Sequence, residues 1–445
     1  ACCRKPRVRA TMAPDGGAMA AGGTVADSGD GFELRVERIV AGGGGLGFHE
    51  GRAVFVPLSA PGDLARVRPA AGAKRGASFL KAELVEILEP GPGRASPACP
   101  LFGTCGGCDL MHLSREAELE AKRGILAESF ARIGKLEAPA IETHSGAALG
   151  YRNRMRLRRS ADGRAALTRR RGNDAVPLDT CPVASPELRV WIEERARLRD
   201  MRADGEFGAD DSGGAPETVP GAARGMDRGR GLTGAAAGAA SMGTTVFGAD
   251  GRTWVGGVDP VAEAAVAGKS FRFDPAGFFQ SNLELFSRLA PLATLALADA
   301  APARGRAVEL YGGVGVLGAF LADSFDSVVS VEGDPRAAPF AAANLGSRGA
   351  SRRASAEDWI RSAEARGPFD AVLVDPPRAG LSPAVRAWLA ASGARALSYV
   401  SCDPATLARD SGELARAGWH LGRLALFDFY PGTRHLESWA LLMKD

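Results

Sequence analysis

From residue 271 to residue 445, short apolar runs alternate with stretches of helical periodicity. A strand buried on both faces reads as a nearly continuous apolar run, and a helix packed over it shows a stripe every 3.6 residues. The alternation therefore predicts an α/β unit built on a doubly wound parallel sheet. Earlier in the chain the pattern is different. Residues 32–36, 54–56 and 82–88 alternate or run as short strands, and the glycine cluster at 42–47 reads as a turn. Short strands with glycine-rich turns predict a small β-barrel of the OB type, a common nucleic-acid binder. An SH3-like barrel with no ligand has the same texture.

Between these two units, Ser114 is placed to cap a helix running to about residue 133, with Glu118 near its start. Residues 151–159 then carry arginine at 152, 154, 156, 158 and 159. On a strand the four even positions share one face, a cationic ridge suited to phosphates. A solvated edge strand is the plainer reading. Residues 1–30 are small, polar and aperiodic, which predicts a disordered tail. The first residue is Ala1, which points to a natural start at Met12 or Met19. Residues 200–243 are rich in Gly, Ala and Asp and are expected to form a flexible insertion. The expected organisation is a tail at 1–30, a barrel at 31–91, a central α+β domain at 92–270 and a Rossmann-like domain at 271–445.

Composition adds limits rather than identity. At 445 residues the chain is long enough for about three domains. Its 45% hydrophobic and 24% charged content can supply globular cores. The net charge of +3 says little about partners, so the local arginine runs carry that argument. No apolar run reaches the roughly 18 residues needed to cross a bilayer. The Gly/Ala-rich start is not a convincing secretory signal. A cytoplasmic protein without a membrane partner is expected, where disulfides rarely persist. The seven cysteines are then free, metal-bound or catalytic. Cys2 and Cys3 belong to no pattern. Cys99, Cys105 and Cys108 crowd into one glycine-kinked loop, and Cys181 can supply a fourth thiolate. Four thiolates suit zinc or an iron–sulfur cluster.

The candidate chemistry lies where strands of the α/β unit end, which is where ligands collect in open sheets. Glu309-Leu310-Tyr311-Gly312-Gly313-Val314-Gly315 is a strand running into a Gly-x-Gly turn, and Glu332 ends the next strand. Gly313 and Gly315 allow close backbone approach, and a carboxylate can take ribose hydroxyls. A dehydrogenase would share that signal but has no particular use for Asp375-Pro376-Pro377-Arg378 after the fourth strand. Ser401-Cys402-Asp403-Pro404 places one cysteine at a strand end, and His435-Leu436-Glu437 lies near the C-terminus. Cys402 reads as a nucleophile attacking a base, or more plainly as a buried small hydrophobe.

Together with Phe279-Gln280-Ser281-Asn282, these segments resemble the class I S-adenosylmethionine-dependent RNA 5-methyluridine methyltransferases. The cysteine loop and the barrel, a TRAM domain in that family, extend the resemblance from about residue 31 to the end. The resemblance implies a 4Fe–4S cluster on Cys99, Cys105, Cys108 and Cys181. It implies S-adenosylmethionine contacts from Gln280, Tyr311, Glu332 and Asp375, with Cys402 as nucleophile and Glu437 as base. Many members have cysteine where this chain has Gly312 and a small polar residue where it has Val316, so no polar side chain is available at 316. Ser355 is the nearest candidate for lining the adenine.

The chemistry gives these residue types an independent reason. Carbon 5 of uracil is a poor nucleophile until a thiolate adds to carbon 6 and turns the ring into an enolate. After methyl transfer a base must remove the carbon 5 proton so that the thiolate can leave. The nucleotide must be flipped or single-stranded. The expected protein is a monomeric three-part RNA methyltransferase acting on ribosomal RNA, with transfer RNA as the alternative. A cytosine-5 methyltransferase usually carries a second cysteine at the Pro-Pro turn, where this chain has Arg378. A zinc- and RNA-binding protein with an inactive methyltransferase domain is the rival outside enzymes.

Overall fold

The computed structural model describes residues 31–72, 78–203 and 243–444. The expected tail at 1–30 and most of the expected insertion at 200–243 lie outside the described residues. Strands β1 (Phe32–Ile39), β2 (Gly44–His49), β3 (Arg52–Pro57), β4 (Leu64–Pro69) and β5 (Phe79–Glu89) close into a barrel of order β1-β2-β3-β5-β4. Alternate residues point inward, so Leu34, Val36, Val54, Val56, Ala65 and Val67 are buried together. The glycine cluster read as a turn divides in two. Gly42 and Gly43 take positive φ and make the turn, whereas Gly44–His49 is strand. A Cβ on Gly45 would lie 2.2 Å from Ser59 Oγ, and one on Gly47 would lie 2.3 Å from the Arg35 carbonyl. These two glycines serve close packing inside the barrel rather than chain reversal.

Ser114 caps α1 (Arg115–Ser129) by accepting from the Ala117 amide at 3.2 Å. The helix passes into a π-helical turn at Phe130–Gly134, close to the expected end. The short strand β6 (Ile141–His144) follows, then β7 (Arg154–Arg159), β8 (Ala165–Thr168), β9 (Ala175–Pro177), α2 (Pro186–Ala203), β10 (Thr244–Ala249) and β11 (Arg252–Val255). These strands, β6 apart, form an antiparallel sheet of order β11-β10-β7-β8-β9. Because α2 runs to Ala203, the first residues of the expected insertion are helical. A hairpin of β12 (Ala262–Val266) and β13 (Lys269–Phe273) leads into the last unit.

That unit runs α3 (Leu283–Ala300), β14 (Arg306–Leu310), α4 (Val316–Leu321), β15 (Ser327–Glu332), α5 (Ala338–Leu345), β16 (Gly349–Arg353), α6 (Ala356–Trp359), β17 (Ala371–Val374), α7 (Pro383–Ala391), β18 (Ala396–Ser401), α8 (Pro404–Ala415), β19 (Trp419–Phe427) and β20 (Glu437–Lys444). Its eight-stranded sheet has the order β16-β15-β14-β17-β18-β20-β19-β6. The strands from β16 to β18 are parallel, and β20 runs antiparallel to both neighbours. All four residues of β17 are fully buried, as a central parallel strand requires. Helices α3, α4 and α5 and the β12–β13 hairpin cover one face. Helices α1, α6, α7 and α8 cover the other. The expected mixed α/β fold behind an N-terminal barrel is therefore present, and β6 joins this eight-stranded sheet from a distant part of the chain. Among the described residues no helix is long and apolar enough to cross a membrane.

A buried charge network ties α1 to the segment after β19. Lys122 is fully buried, and its Nζ donates to Glu118 Oε1 at 2.7 Å, Asp428 Oδ1 at 2.5 Å and the Tyr430 carbonyl at 3.1 Å. Arg115 also donates to Asp428, and Glu118 Oε1 accepts from the Gly432 amide at 2.7 Å. The loop that precedes Glu437 is thus held from below by ions.

Candidate active site

Strands β14, β15, β17 and β18 end at one edge of the sheet, where a cavity of about 730 Å³ opens. Cys402 follows β18 in a turn fixed on both sides. Ser401 Oγ accepts from the Asp403 amide at 3.1 Å. The Asp403 carboxylate caps α8, accepting from the amides of Ala405 at 3.0 Å and Thr406 at 2.9 Å. The β18–β20 ladder ends at the pair Ser401 and Ser438. Glu437 therefore stands at the next position, across from Cys402, and both line the cavity with Asp375.

The electrostatics of this group follow from burial. Burial pushes the carboxyls of Asp375 and Glu437 upward, and the Asp375 charge adds to the effect on Glu437. Burial also pushes the Cys402 thiol up to about 11, with Glu437 and Asp375 adding and Arg378 opposing. Arg378 Nη2 lies 3.5 Å from His435 Nδ1. Burial, reinforced by Arg378 and Arg434, pushes His435 down to about 4, so its ring is neutral at physiological pH.

The other half of the cavity suits a nucleoside with a polar tail. Tyr311 sits at φ 63°, a conformation costing on the order of 1 kcal/mol or more for a side-chain-bearing residue. Gly313 presents an open backbone with nothing within 4 Å of a Cβ, and its amide donates to Glu332 Oε2 at 2.7 Å. A Cβ on Gly315 would meet Ala341 Cα at 3.0 Å, so that glycine serves packing. Gln280 is buried in the cavity wall, and its Oε1 has no hydrogen-bond partner among the described residues. An orphaned buried acceptor facing a cavity calls for a ligand donor. The residue at 316 is buried, as an apolar valine should be.

All eight residues named for nucleophile, base and cofactor meet at this cavity except Gly315, which sits behind it. Ser355 does not line it. Its hydroxyl caps α6, accepting from the Asp358 amide at 3.0 Å, so it is taken up by local structure. Sequence reasoning assigned no role to Glu309, a carboxyl inside an apolar strand run, which was the available signal. Burial pushes Glu309 up to about 8 against the Ser330 hydroxyl and the Gly318 amide. These groups explain the glycine at 312, where a Cβ would lie 2.2 Å from Ser330 Oγ and 2.7 Å from Glu309 Oε2.

The arginine row is on one face as expected, since Met155 and Leu157 between its members are buried. It is not a free ridge. Arg152 and Arg154 line the cavity, with Arg152 lying 5.9 Å from the Tyr430 ring. Arg154 donates to the Gly277 carbonyl at 2.7 Å, and Arg158 to that of Asn173.

Cys99, Cys105, Cys108 and Cys181 are electrostatic neighbours: Cys181, Cys105 and Cys99 disfavour a negative charge on Cys108, and Cys99 does the same to Cys105 and Cys181. Burial pushes Cys108 up to about 12, with Cys181 adding. As donors they suit a soft cationic centre. Among the described residues, however, no group of three or more His, Cys, Asp or Glu side chains is arranged to hold a metal ion.

The large sheet, numbered from β14, has the order 3-2-1-4-5-7-6 with the seventh strand reversed, and the cavity opens at its first two strand ends. This is the class I S-adenosylmethionine-dependent methyltransferase architecture. The same fold appears in the structure of the Pyrococcus abyssi tRNA (uracil-54, C5)-methyltransferase with S-adenosyl-L-homocysteine, at a TM-score of 0.63 and 23% identity. That match covers 92% of this chain and 99% of the other. The tRNA (uracil-5-)-methyltransferase family model matches residues 362–445. A 23S rRNA (uracil(1939)-C(5))-methyltransferase RlmD of Chromohalobacter salexigens is 36% identical, covering 93% of this chain and 89% of its own. The RlmD of Alkalilimnicola ehrlichii is 32% identical, covering 93% and 97%. The chain belongs to the family of S-adenosylmethionine-dependent RNA uracil-5 methyltransferases.

Proposed function

We propose that this enzyme methylates carbon 5 of a uridine in 23S ribosomal RNA, with Cys402 as nucleophile and Glu437 as base. The observation that carries the roles is the opposition of Cys402 and Glu437 across the end of the β18–β20 ladder, inside one cavity. The names of the full-length relatives support ribosomal RNA over transfer RNA.

Gln280, Gly313, Glu332 and Asp375 are the residues to hold S-adenosylmethionine, which supplies an electrophilic methyl group on a sulfonium. Arg378 opposes the upward push on the thiol and favours the thiolate. Cys402 adds to carbon 6, forming a carbon–sulfur bond and moving the ring electrons onto carbon 5. Once that carbon carries the methyl group, Glu437 takes its proton. The ring double bond re-forms, the carbon–sulfur bond breaks and the thiolate leaves. Burial and the Asp375 charge push the Glu437 carboxyl upward, which makes its ionised form a stronger proton acceptor. Mapping 5-methyluridine in a strain lacking the gene tests the substrate. One uridine of 23S rRNA should lose its methyl group, and loss confined to tRNA would overturn the ribosomal reading.

Cys99, Cys105, Cys108 and Cys181 are proposed as the ligands of a 4Fe–4S cluster, supported by the chemistry of four neighbouring thiols, two buried and two half-buried. Protein purified without oxygen should be brown and contain iron, and Cys105→Ser should lose the colour. A colourless protein holding zinc would overturn the cluster.

A further inference from the structure

Arg378 has a fixed backbone and a free tip. It lies in a turn closed by the Gly380 amide on the Pro377 carbonyl at 2.8 Å. Just beyond, the Leu381 amide donates to the buried Asp410 carboxylate at 2.8 Å, and Arg409 donates to the Ala379 carbonyl at 2.9 Å. The side chain is long, and its rotamer freedom has to be overcome before the guanidinium stays in one place. Inside the cavity that guanidinium reaches two side chains, the Cys402 sulfur, which it hydrogen-bonds, and Nδ1 of His435 at 3.5 Å.

His435 is held far more firmly. From Asp428 to Gly432, every residue of the loop before it has a backbone group bonded to a different part of the chain. The Asp428 amide donates to the His144 carbonyl at 2.9 Å, and the Phe429 carbonyl accepts from Asn282 at 3.1 Å. The Tyr430 carbonyl accepts from Lys122 at 3.1 Å, and that of Pro431 from the Tyr151 hydroxyl at 2.9 Å. The Gly432 carbonyl accepts from the amides of Asp109 at 3.0 Å and Leu110 at 2.9 Å. Thr433 Oγ1 then donates to the Tyr430 carbonyl at 2.8 Å and accepts from the His435 amide at 3.2 Å. The Tyr430 ring packs edge-on against the imidazole, with centroids 6.1 Å apart.

A fixed, neutral imidazole can anchor a mobile cation. Asp375 and Glu437 line the same cavity, and a guanidinium left to itself prefers a carboxylate to a thiol. Paired with Glu437, Arg378 would weaken the base and leave the nucleophile without its cation. We propose that His435 is a positioning residue, whose Nδ1 accepts from Arg378 and holds the guanidinium at the Cys402 sulfur. The ring proton is then on Nε2. The proposal rests on the reading of Arg378 as the cation that favours the Cys402 thiolate. It gives the histidine of His435-Leu436-Glu437 a task separate from that of the glutamate.

The test is alkylation of Cys402 by iodoacetamide in the full chain at about pH 8, followed by peptide mass spectrometry. Calorimetric binding of S-adenosylmethionine serves as the control for folding. His435→Leu keeps most of the bulk and removes the acceptor, and it should alkylate about three- to tenfold more slowly. The double variant His435→Leu/Arg378→Gln should be no slower than Arg378→Gln alone, because the two residues act as one unit. His435→Asn places an amide oxygen near the position of Nδ1 and should recover most of the native rate. His435→Gln, whose oxygen reaches the position of Nε2, should not. A native rate in His435→Leu, additive losses in the double variant, or equal rates in His435→Asn and His435→Gln would each overturn the positioning role. The comparison of Asn with Gln decides the matter even where His435→Leu fails to fold. A native rate in Arg378→Gln would instead overturn the reading of Arg378 itself, and the positioning role with it.

Discussion

The Ser438 hydroxyl donates to the Ser401 carbonyl at 3.0 Å, closing the β18–β20 ladder one residue before Cys402 and Glu437. This bond locks together the two strand ends that carry the nucleophile and the base. Their relative position is set by sheet register and not by a flexible loop.

The two residues should fail at different stages. Cys402→Ala cannot activate the ring, so it should form no covalent adduct and lose activity by about 10⁴-fold or more. Glu437→Gln keeps the thiol and the cofactor site, so addition and methyl transfer proceed while elimination stalls. Its turnover should fall about 10²- to 10⁴-fold, and a methylated protein–RNA adduct should survive denaturing electrophoresis. Near-normal turnover without an adduct would assign the base elsewhere.

The Cys402 thiol is pushed up to about 11, so only a small fraction is thiolate at neutral pH in the free enzyme. Alkylation of Cys402 by iodoacetamide, followed by peptide mass spectrometry, should accelerate about tenfold per pH unit between pH 7 and 9. Arg378→Gln removes the cation that opposes the shift and should slow alkylation at every pH in that range. A flat profile would contradict this.

Glu309 is buried with its carboxyl pushed up to about 8, from an ordinary value of 4.5. A raised carboxyl favours folding while protonated. Its contribution is complete below about pH 4.5 and is lost as pH rises through about 8. Glu309→Gln should therefore be less pH-sensitive than the native chain between pH 5 and 9 when stability is followed by urea denaturation. An identical pH dependence would show that Glu309 is not the titrating group.

At Gly312 the space is taken by Ser330 and Glu309. Gly312→Ala should destabilise the fold by about 1–3 kcal/mol, as overpacking does, and weaken S-adenosylmethionine binding. Adding Ser330→Ala should recover part of both, measured by denaturation and calorimetry in a double-mutant cycle. Additive losses would rule out the clash with Ser330.

Lys122→Met leaves Glu118 and Asp428 as buried carboxylates that share Arg115 as their remaining ion-pair partner. The expected cost is about 3–5 kcal/mol, read by urea denaturation at pH 7. The loss should shrink as pH falls and Glu118, pushed upward by burial, takes up a proton. A loss under about 1 kcal/mol, the range of an exposed ion pair, would mean the network is solvated.

The parts legible in the sequence were those where one short segment carries its own reason. Gly313, Glu332, Asp375 and Cys402 each sit at or just past the end of a strand whose apolar run announces it, and the topology of an open sheet brings such ends together; Glu437 begins β20 and was legible through the His435-Leu436-Glu437 resemblance. Features that depend on distant atoms were hidden. The strand at Gly44–His49 looks like a turn until Ser59 and the Arg35 carbonyl are seen against it. Ser355 has the residue type of an adenine contact, but Asp358 three residues later claims its hydroxyl. The arginines of β7 alternate as expected, yet the backbone carbonyls that divert Arg154 and Arg158 come from other segments. The link between Thr104 and Arg170 joins loops whose sequences contain no hint of each other.

Strand β6 (Ile141–His144) has a single neighbour in the sheet, β19 (Trp419–Phe427). During synthesis its partner leaves the ribosome long afterwards. The barrel can close early, because its five strands are contiguous in the chain, but β6 and the buried face of α1 must wait for β19 and α8. A nascent chain therefore carries an unpaired strand and the uncovered Ile125 and Leu126 of α1 through most of its elongation, the condition in which chaperones bind. The late arrival of β19 leaves β6 and the buried face of α1 as the last parts of the N-terminal half to be covered, so a chain interrupted before β19 is expected to keep both exposed.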